Sequence, residues 1–262
     1  MTTASDLLAR MRAQSPLVQV ITNYVAMNVT ANVLLAAGAS PAMVHAEEEA
    51  GEFAGIARAV VVNMGTPSAA WVVGMKRAAG AAAAGGKPWV LDPVAHFATA
   101  FRRRIVADLL ALRPAIVRAN ASEILALAGA ASAGQGVDSG DPVERAEAAA
   151  RQLAVAHRAV IAVTGEVDFV TDGQRSARIA GGSALMPRVT ALGCALSALC
   201  GAFAAVAPGE AFEATVAALA MFAAAGSEAG RGAAGPGSFA VRFLDALAAV
   251  EGPALDGRIA AA

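Results

Sequence analysis

The chain has 262 residues, a length that suits one large α/β domain or two small ones. Its formal net charge of -1 argues against a broad electrostatic grip on nucleic acid. Hydrophobic residues make up 57% of the chain, yet the longest apolar stretch, Ala195–Ala207, is too short to cross roughly 30 Å of hydrocarbon. The first thirteen residues carry charges and no apolar signal core, so we expect a cytoplasmic protein with neither nucleic-acid nor membrane partners.

Short apolar segments alternate with helical ones over the first two-thirds of the chain. The predicted strands are Leu17–Ile21, Pro41–Val44, Ala59–Asn63, Pro88–Leu91, Ala115–Arg118 and Ala159–Val163. The predicted helices are Val25–Ala37, Glu47–Ile56, Ser68–Ala83, Ala98–Leu112, Ser122–Ala128 and Pro142–His157. This alternation is typical of a parallel sheet with crossover helices on both faces.

The last third has a different pattern. Asp168–Thr171 and Ser176–Ile179 flank an Asp-Gly pair, which predicts a β-hairpin. From Cys194 onward the composition favours helices to the C-terminus, with breaks near Pro208 and within Ala229–Gly237. We expect a single α/β domain over residues 1–262.

Polar residues follow five of the predicted strands. In open α/β sheets ligands bind beyond the carboxyl ends of the strands, so these positions are candidates for one site. They include Asn23, Thr66, Asp92, Asn120 with Glu123, and Thr164.

The acidic residues Asp92 and Glu123 are candidates for a magnesium site. Mg²⁺ prefers hard oxygen ligands and is often held by one or two carboxylates beside a phosphate. Each residue alone has a simpler explanation, because Asp92-Pro93 is a common turn and Glu123 suits a helix N-terminus. Their place at neighbouring strand ends favours the metal–phosphate hypothesis.

Gly193 and Cys194 stand at the start of the last helical region. Glycine allows close approach of a ligand, and the free amides of a first helical turn can bind an anion. The same field would lower the pKa of the Cys194 thiol, which could then accept a proton from an alcohol. The alternative is that both are small packing residues.

Two other groups of residues receive a structural interpretation. Arg102–Arg104 is interpreted as an exposed helical face, with Arg102 as a possible phosphate contact. The three histidines have no spaced partners and are assigned no metal.

Several of these segments resemble the hydroxyethylthiazole kinase family, in order and at similar spacing from about Pro16 to Ala205. The segments are PLVQVITNYVAMNVTAN at Pro16–Asn32, GASPAMVHAEEE at Gly38–Glu49, LDPV at Leu91–Val94, RANASEI at Arg118–Ile124, GVDS at Gly136–Ser139, AVTGEVDFVTDG at Ala162–Gly173 and VTALGC at Val189–Cys194.

The resemblance implies a ribokinase-like fold, with a mostly parallel central sheet between two helix layers. It also implies transfer of the ATP γ-phosphoryl group to the hydroxyl of 4-methyl-5-(2-hydroxyethyl)thiazole, in thiamine biosynthesis or salvage. The family is trimeric, with sites near subunit interfaces, so we expect a homotrimer that uses Mg²⁺ and ATP.

The resemblance also assigns roles to individual residues. Cys194 corresponds to the catalytic position, where related sugar kinases carry an aspartate base. Substrate-binding positions are Met43, Asn23, Ala191 and Gly193. ATP-contacting positions are Arg118 and Thr164. The acidic magnesium positions are Asp92 and Glu123.

Three departures from the family pattern leave alternatives open. The family's anion loop usually reads Gly-Thr-Gly-Cys, whereas this chain has Ala191 and Leu192 before Gly193. After Asp92 the family has small glycine-rich residues, and here Ala95–Phe97 is bulkier. Ala119 also replaces a usual glycine. These changes could reshape the pocket for another alcohol, such as hydroxymethylpyrimidine, or leave a thiazole-binding relative with little turnover.

Overall fold

A computed structural model describes residues 2–134 and 140–262, and the segment Gly136–Ser139 quoted above lies outside the described residues. The described strands are β1 (Leu17–Ile21), β2 (Ser40–Ala42), β3 (Ala59–Asn63), β4 (Trp89–Asp92), β5 (Ile116–Asn120), β6 (Val160–Thr164), β7 (Val167–Thr171), β8 (Ser176–Ala180) and β9 (Ile259–Ala261). They form one sheet in the order β2-β1-β3-β4-β5-β6-β7-β8-β9.

The sheet is parallel from β2 to β6 and antiparallel from β6 to β9. Parallel neighbours require crossover connections, which the intervening helices supply. The pairing register places Asn63 beside Asp92 and Asn120 beside Thr164, so the carboxyl ends of these strands meet at one edge.

Helices cover both faces of the sheet. They are α1 (Ala4–Gln14), α2 (Met27–Ala37), α3 (Ala50–Ile56), α4 (Ala69–Ala84), α5 (Ala100–Leu110), α6 (Ala121–Leu127), α7 (Val143–His157), α8 (Leu192–Ala204), α9 (Ala211–Gly232), α10 (Pro236–Ala249) and α11 (Gly252–Asp256). Core residues of α1, α2 and α8–α11 form one buried cluster, and those of α3–α7 form the other.

Alternate strand residues supply the two clusters. In β3, Val61 belongs to the cluster under α8, whereas Val60 and Val62 belong to the cluster under α4. Successive side chains of a strand point to opposite faces, so a continuous apolar strand is buried by helices on both sides. This three-layer α/β/α architecture confirms the predicted fold class.

The strand and hairpin predictions are confirmed to within two residues at each end. The prediction that helices continue to the C-terminus is wrong, because β9 pairs with β8 and closes the sheet edge. Arg258 precedes β9 and donates to the carbonyl of Ala180 at the end of β8 (3.3 Å). That pairing joins segments about eighty positions apart, which local composition does not report.

Helix α1 was not among the predicted helices. Its start has a local signal, because the Thr3 hydroxyl accepts from the amide of Asp6 and the Asp6 carboxylate accepts from the amide of Thr3. This reciprocal pair is a capping box. None of the helices in the described part of the chain combines the length and apolar character that crossing a bilayer requires.

Candidate active site

The residues predicted from strand ends converge at the carboxyl edge of the sheet. Asn23 follows β1, Asn63 ends β3 and Asp92 ends β4. Helix α8 packs against the ends of these strands and brings Cys194, from its first turn, into contact with Asn23. The sequence distance between these two residues is 171 positions, so only the fold joins them.

The orientation of the Asn23 amide is set by backbone donors. Its Oδ1 accepts from the amides of Val25 (3.1 Å) and Ala26 (3.0 Å), in the turn that begins α2. Its Nδ2 must therefore donate, and it does so to Asn63 Oδ1 (2.8 Å) and to the sulfur of Cys194 (3.4 Å). The sulfur is the acceptor in this contact.

The thiol of Cys194 is harder to ionise than we expected from its helix position. Burial raises its pKa to about 11, and the negative charge of Asp92 adds to the shift, while the Asn23 contact and Arg118 oppose it. The expectation of a lowered thiol pKa is therefore wrong. Desolvation outweighs the field of a helix N-terminus at this position.

Asp92 is fully buried and is held by one of its two oxygens. Oδ2 accepts from Asn63 Nδ2 (2.7 Å) and from Ser197 Oγ (2.7 Å), and Arg118 Nη1 lies 3.5 Å away. Oδ1 has no hydrogen-bond partner among the described residues. Burial raises the pKa of Asp92, an effect that Arg118 and the two neutral donors reduce.

Glu123 ties two loops together with its carboxylate. One oxygen accepts from the amide of Ala95 (2.9 Å), and the other accepts from the amide of Asn120 (3.0 Å) in a capping box of α6. Burial, followed by the negative charge of Asp92, raises the pKa of Glu123 to about 7 although these amides lower it. The helix-capping interpretation of Glu123 is thus correct as far as its hydrogen bonds go.

Arg118 lies beneath the start of α8. Its Nη2 donates to the hydroxyl of Thr164 (2.5 Å), and a Cβ placed on Gly193 would lie 3.0 Å from both guanidinium nitrogens. A side chain at this position would crowd the guanidinium, so glycine suits the close approach. The guanidinium is buried, but the carboxylates of Asp92 and Glu123 outweigh that penalty and raise its pKa. The structure therefore brings both predicted ATP-contacting residues together.

The loop that leads into α8 and the loop after β4 each contain an alanine with a left-handed backbone. Ala191 has φ 65° at the N-cap of α8, and Ala95 has φ 49°. An alanine in this backbone region carries a steric cost of about 1–2 kcal/mol. Ala191 and Gly193 are partly exposed, beside Cys194.

Met43 follows β2, the strand that pairs with β1, and so lies at the same sheet edge. It is partly buried and packs against the core cluster of α8. The ring of His45 has Nδ1 3.3 Å from the Met43 carbonyl and packs against Trp71, with ring centroids 4.5 Å apart. This aromatic contact supports the segment that carries Met43.

Arg102 joins two loops of the site. Its guanidinium donates to the carbonyls of Met64 (3.0 Å), Gly65 (2.6 Å) and Val94 (2.8 Å). The expectation of an exposed face is wrong for this residue, because its side chain is partly buried and bound to the loops after β3 and β4.

Sequence reasoning missed three further residues of this region. Asn63 and Ser197 contact Asp92, and Asp168 is a carboxyl group whose pKa burial raises to about 7, opposed by the Gly165 amide and by Arg118. Asn63 and Ser197 had a usable signal, since each is the polar member of an otherwise apolar strand or helical turn.

The donor set fits a magnesium–nucleotide complex better than a metal caged by protein alone. Asp92 offers a buried oxygen that has no hydrogen-bond partner among the described residues, and Glu123 adds a second carboxylate at the neighbouring strand end. Within residues 2–134 and 140–262 no three acidic, histidine or cysteine side chains converge as metal ligands. Mg²⁺ commonly takes one or two carboxylates and completes its shell with phosphates and water.

The chain matches the model of the hydroxyethylthiazole kinase family over residues 8–252. It is 71% identical to a hydroxyethylthiazole kinase of Rhizobium etli over 252 residues, which cover 96% of this chain and 98% of that protein. A solved hydroxyethylthiazole kinase structure from Pyrococcus horikoshii is 39% identical, covers 99% of this chain and 98% of its own, and superposes with a TM-score of 0.90.

A more distant structural relative agrees with the fold. A ribokinase-like superfamily protein from Enterococcus faecalis is 10% identical, with a TM-score of 0.64 over 92% of this chain and 88% of that chain. The family model and the close relatives span nearly the whole sequence. The chain therefore belongs to the hydroxyethylthiazole kinase family and is an ATP-dependent small-molecule kinase.

Proposed function

We propose that the enzyme transfers the γ-phosphoryl group of ATP to the hydroxyl of 4-methyl-5-(2-hydroxyethyl)thiazole, as a step in thiamine biosynthesis or salvage. The observation that carries the proposal is the contact between Asn23 and Cys194 at the N-terminus of α8, close to the guanidinium of Arg118. Asn23 and Cys194 offer polar contacts for an alcohol, and the neighbouring guanidinium offers a positive charge for phosphate.

On this proposal, substrate positioning falls to the residues around Cys194. Asn23 and Met43 hold the thiazole, with the thioether packed on its ring, and the backbone of Ala191 and Gly193 borders the hydroxyethyl group. Arg118 and Thr164 bind the ATP phosphates, since a guanidinium pairs well with phosphate oxygens. The free amides of the first turn of α8 stabilise negative charge on the transferring group.

Cys194 is the proposed catalytic residue. The alcohol oxygen forms a bond to the γ-phosphorus while the bond to the ADP oxygen breaks, and the alcohol proton passes to the thiolate form of Cys194, which becomes the neutral thiol. A thiol with a pKa of about 11 is ionised in only about one molecule in ten thousand at pH 7. Catalysis therefore depends chiefly on positioning and electrostatics, as is usual for phosphoryl transfer.

Asp92 and Glu123 are the proposed protein contacts of Mg²⁺, either direct or through water. The ion would neutralise charge on the phosphates of ATP. Oδ1 of Asp92, which has no hydrogen-bond partner in the part of the chain that the structure describes, supports this role.

The assembly is proposed to be a cytoplasmic homotrimer of single-domain chains, each domain spanning residues 1–262. Tyr24 and Val25 support an interface at the site, because these apolar side chains directly follow Asn23 and are 68% and 59% exposed. Burial of such side chains is a common driving force for association.

The direct test is incubation of the purified protein with MgATP and the thiazole, with the monophosphate detected by mass spectrometry. We expect product that depends on both Mg²⁺ and the thiazole. A panel with hydroxymethylpyrimidine and pyridoxal serves as the control for specificity. Equal use of another alcohol would refute the assignment to the thiazole, and no product from folded protein would refute the kinase reaction.

A further inference from the structure

The carboxylate of Asp92 is held asymmetrically. Both short hydrogen bonds, from Asn63 and Ser197, reach Oδ2, and Arg118 lies on the same side. Oδ1 is buried and unpartnered among the described residues. Burying a carboxylate oxygen without a hydrogen-bond donor costs free energy unless a bound ligand interacts with that oxygen.

The direction of the hydrogen bond from Asn63 is fixed by the backbone. Asn63 Oδ1 accepts from the amide of Gly65 (3.0 Å), which can only donate. The Asn23 side chain, itself oriented by two backbone amides, donates to the same oxygen. Asn63 Nδ2 must therefore be the group that faces Asp92, and a chain of donors runs from the start of α2 to the carboxylate.

The second donor comes from α8. Ser197 is three residues after Cys194 and so lies on the same face of the helix. Its hydroxyl lies 2.7 Å from Asp92 Oδ2 and 3.5 Å from the carbonyl of Gly193 one turn back, so the carboxylate is its principal acceptor. The position of the helix that carries Cys194 is thereby tied to Asp92.

We propose that Asn63 and Ser197 are positioning residues for phosphoryl transfer, which hold Oδ2 of Asp92 so that Oδ1 remains free for the metal–nucleotide complex. Two short hydrogen bonds to one oxygen prevent the carboxylate from turning. If either donor is lost, the carboxylate can rotate so that Oδ1 accepts from the remaining donor. Oδ1 then no longer faces the proposed position of the metal–nucleotide complex. The inference rests on the role proposed above for Asp92.

The test measures binding as well as turnover. Mn²⁺ in the presence of ADP is titrated into the parent protein and into Ser197→Ala, Asn63→Ala and Asn63→Asp, with free Mn²⁺ followed by electron paramagnetic resonance. We expect each variant to bind Mn²⁺·ADP at least about tenfold more weakly. Ser197→Thr, which retains the hydroxyl, should keep the parental affinity. The KM for the alcohol should change much less than the Mn²⁺ affinity.

Thr215→Val is the matched control, since it deletes another buried helical hydroxyl that donates only to its own helix at Ala211. It should alter thermal stability without altering Mn²⁺·ADP affinity. Asn63→Asp keeps the shape of the side chain but replaces the N–H donor with an oxygen and adds a charge beside Asp92. Ser197→Ala and Asn63→Ala, which add no charge, must therefore show the same loss of affinity.

Parental Mn²⁺·ADP affinity in Ser197→Ala and Asn63→Asp, with only lowered melting temperatures, would overturn the inference. Parental affinity in Asp92→Ala would overturn it as well. Failure of the proposed function has a different signature: the parent protein then binds Mn²⁺·ADP but makes no thiazole monophosphate. In that case the loss of Mn²⁺·ADP affinity in the variants still supports the positioning role of Asn63 and Ser197 in metal–nucleotide binding.

Discussion

The side-chain nitrogen of Asn23 donates a hydrogen bond to the sulfur of Cys194 over 3.4 Å. Because two backbone amides fix the Asn23 carboxamide, the sulfur can only be the acceptor, and its own proton points elsewhere. This contact stabilises a thiolate more than a thiol. Burial and the charge of Asp92 nevertheless dominate and keep the thiol pKa at about 11.

Cys194→Ser is expected to lower turnover by about 100-fold, the lower range of a general-base contribution, while the KM for the thiazole changes little. The thiolate population of the parent grows tenfold for each pH unit below the raised pKa. Turnover of the parent should therefore rise with pH between 7 and 9, and that of the serine variant should rise far less. Steady-state kinetics over this pH range provide the measurement.

Iodoacetamide labelling gives an independent check on the same thiol. The parent should react slowly at pH 7 and faster as the pH approaches 11, and Cys194→Ser should not be labelled because Cys200 is fully buried. Rapid labelling at neutral pH would contradict the raised pKa of the thiol, and unchanged turnover in the serine variant would remove Cys194 from the proposed mechanism.

Arg102→Lys is expected to raise the KM for the alcohol and to destabilise the protein by about 1–3 kcal/mol, the cost of leaving buried carbonyls unpaired. A single ammonium cannot reach the three carbonyls of Met64, Gly65 and Val94 that the planar guanidinium spans. Chemical denaturation and steady-state kinetics measure the two effects. Arg104→Ala, at an exposed position of the same helix, is the control and should change neither.

Ala191→Gly is expected to stabilise the protein by about 0.5–1 kcal/mol, because glycine relieves the left-handed backbone at this position. The melting temperature and the denaturant midpoint measure the change. The control is Ala107→Gly, at an exposed site within α5, which should destabilise by about 1 kcal/mol. If Ala191→Gly lowers stability as much as the control does, the φ of 65° is not a source of strain.

Tyr24→Ser is expected to weaken the assembly. Analytical ultracentrifugation of the parent should give three times the 26.0 kDa chain mass, and the variant should shift toward the mass of one chain on dilution. Val155→Ser, at an apolar residue on α7 with 66% exposure, should leave the mass unchanged. A parent protein that sediments as a monomer at micromolar concentration would contradict the proposed interface.

Sequence reasoning reached the fold and most of the site because both have local signals. The apolar strands with intervening helices predicted a parallel sheet, and the strand ends then identified Asn23, Asp92, Glu123 and Thr164 as neighbours. Resemblance to a family added Met43 and Arg118, whereas Cys194 was already a candidate from its place at the start of a predicted helix. These inferences needed only periodicity, turn chemistry and motifs.

Two features required the tertiary structure. The pairing of β9 with β8 joins segments that are distant along the chain, and the local sequence of neither strand predicts which strand it pairs with. The three carbonyls that Arg102 binds belong to the loops after β3 and β4, which only the fold brings to the Arg102 side chain. Its role could therefore not follow from a run of arginines.

The protonation of the site was also decided by the fold. From sequence, Cys194 at a helix N-terminus predicted a lowered pKa, since only the helix field was visible. Burial beside Asp92 acts in the opposite direction and prevails. The sequence alone thus determined which chemical groups this protein brings to its sheet edge, and the tertiary structure decided their charge and orientation, because desolvation and hydrogen-bond direction depend on neighbours that are remote along the chain.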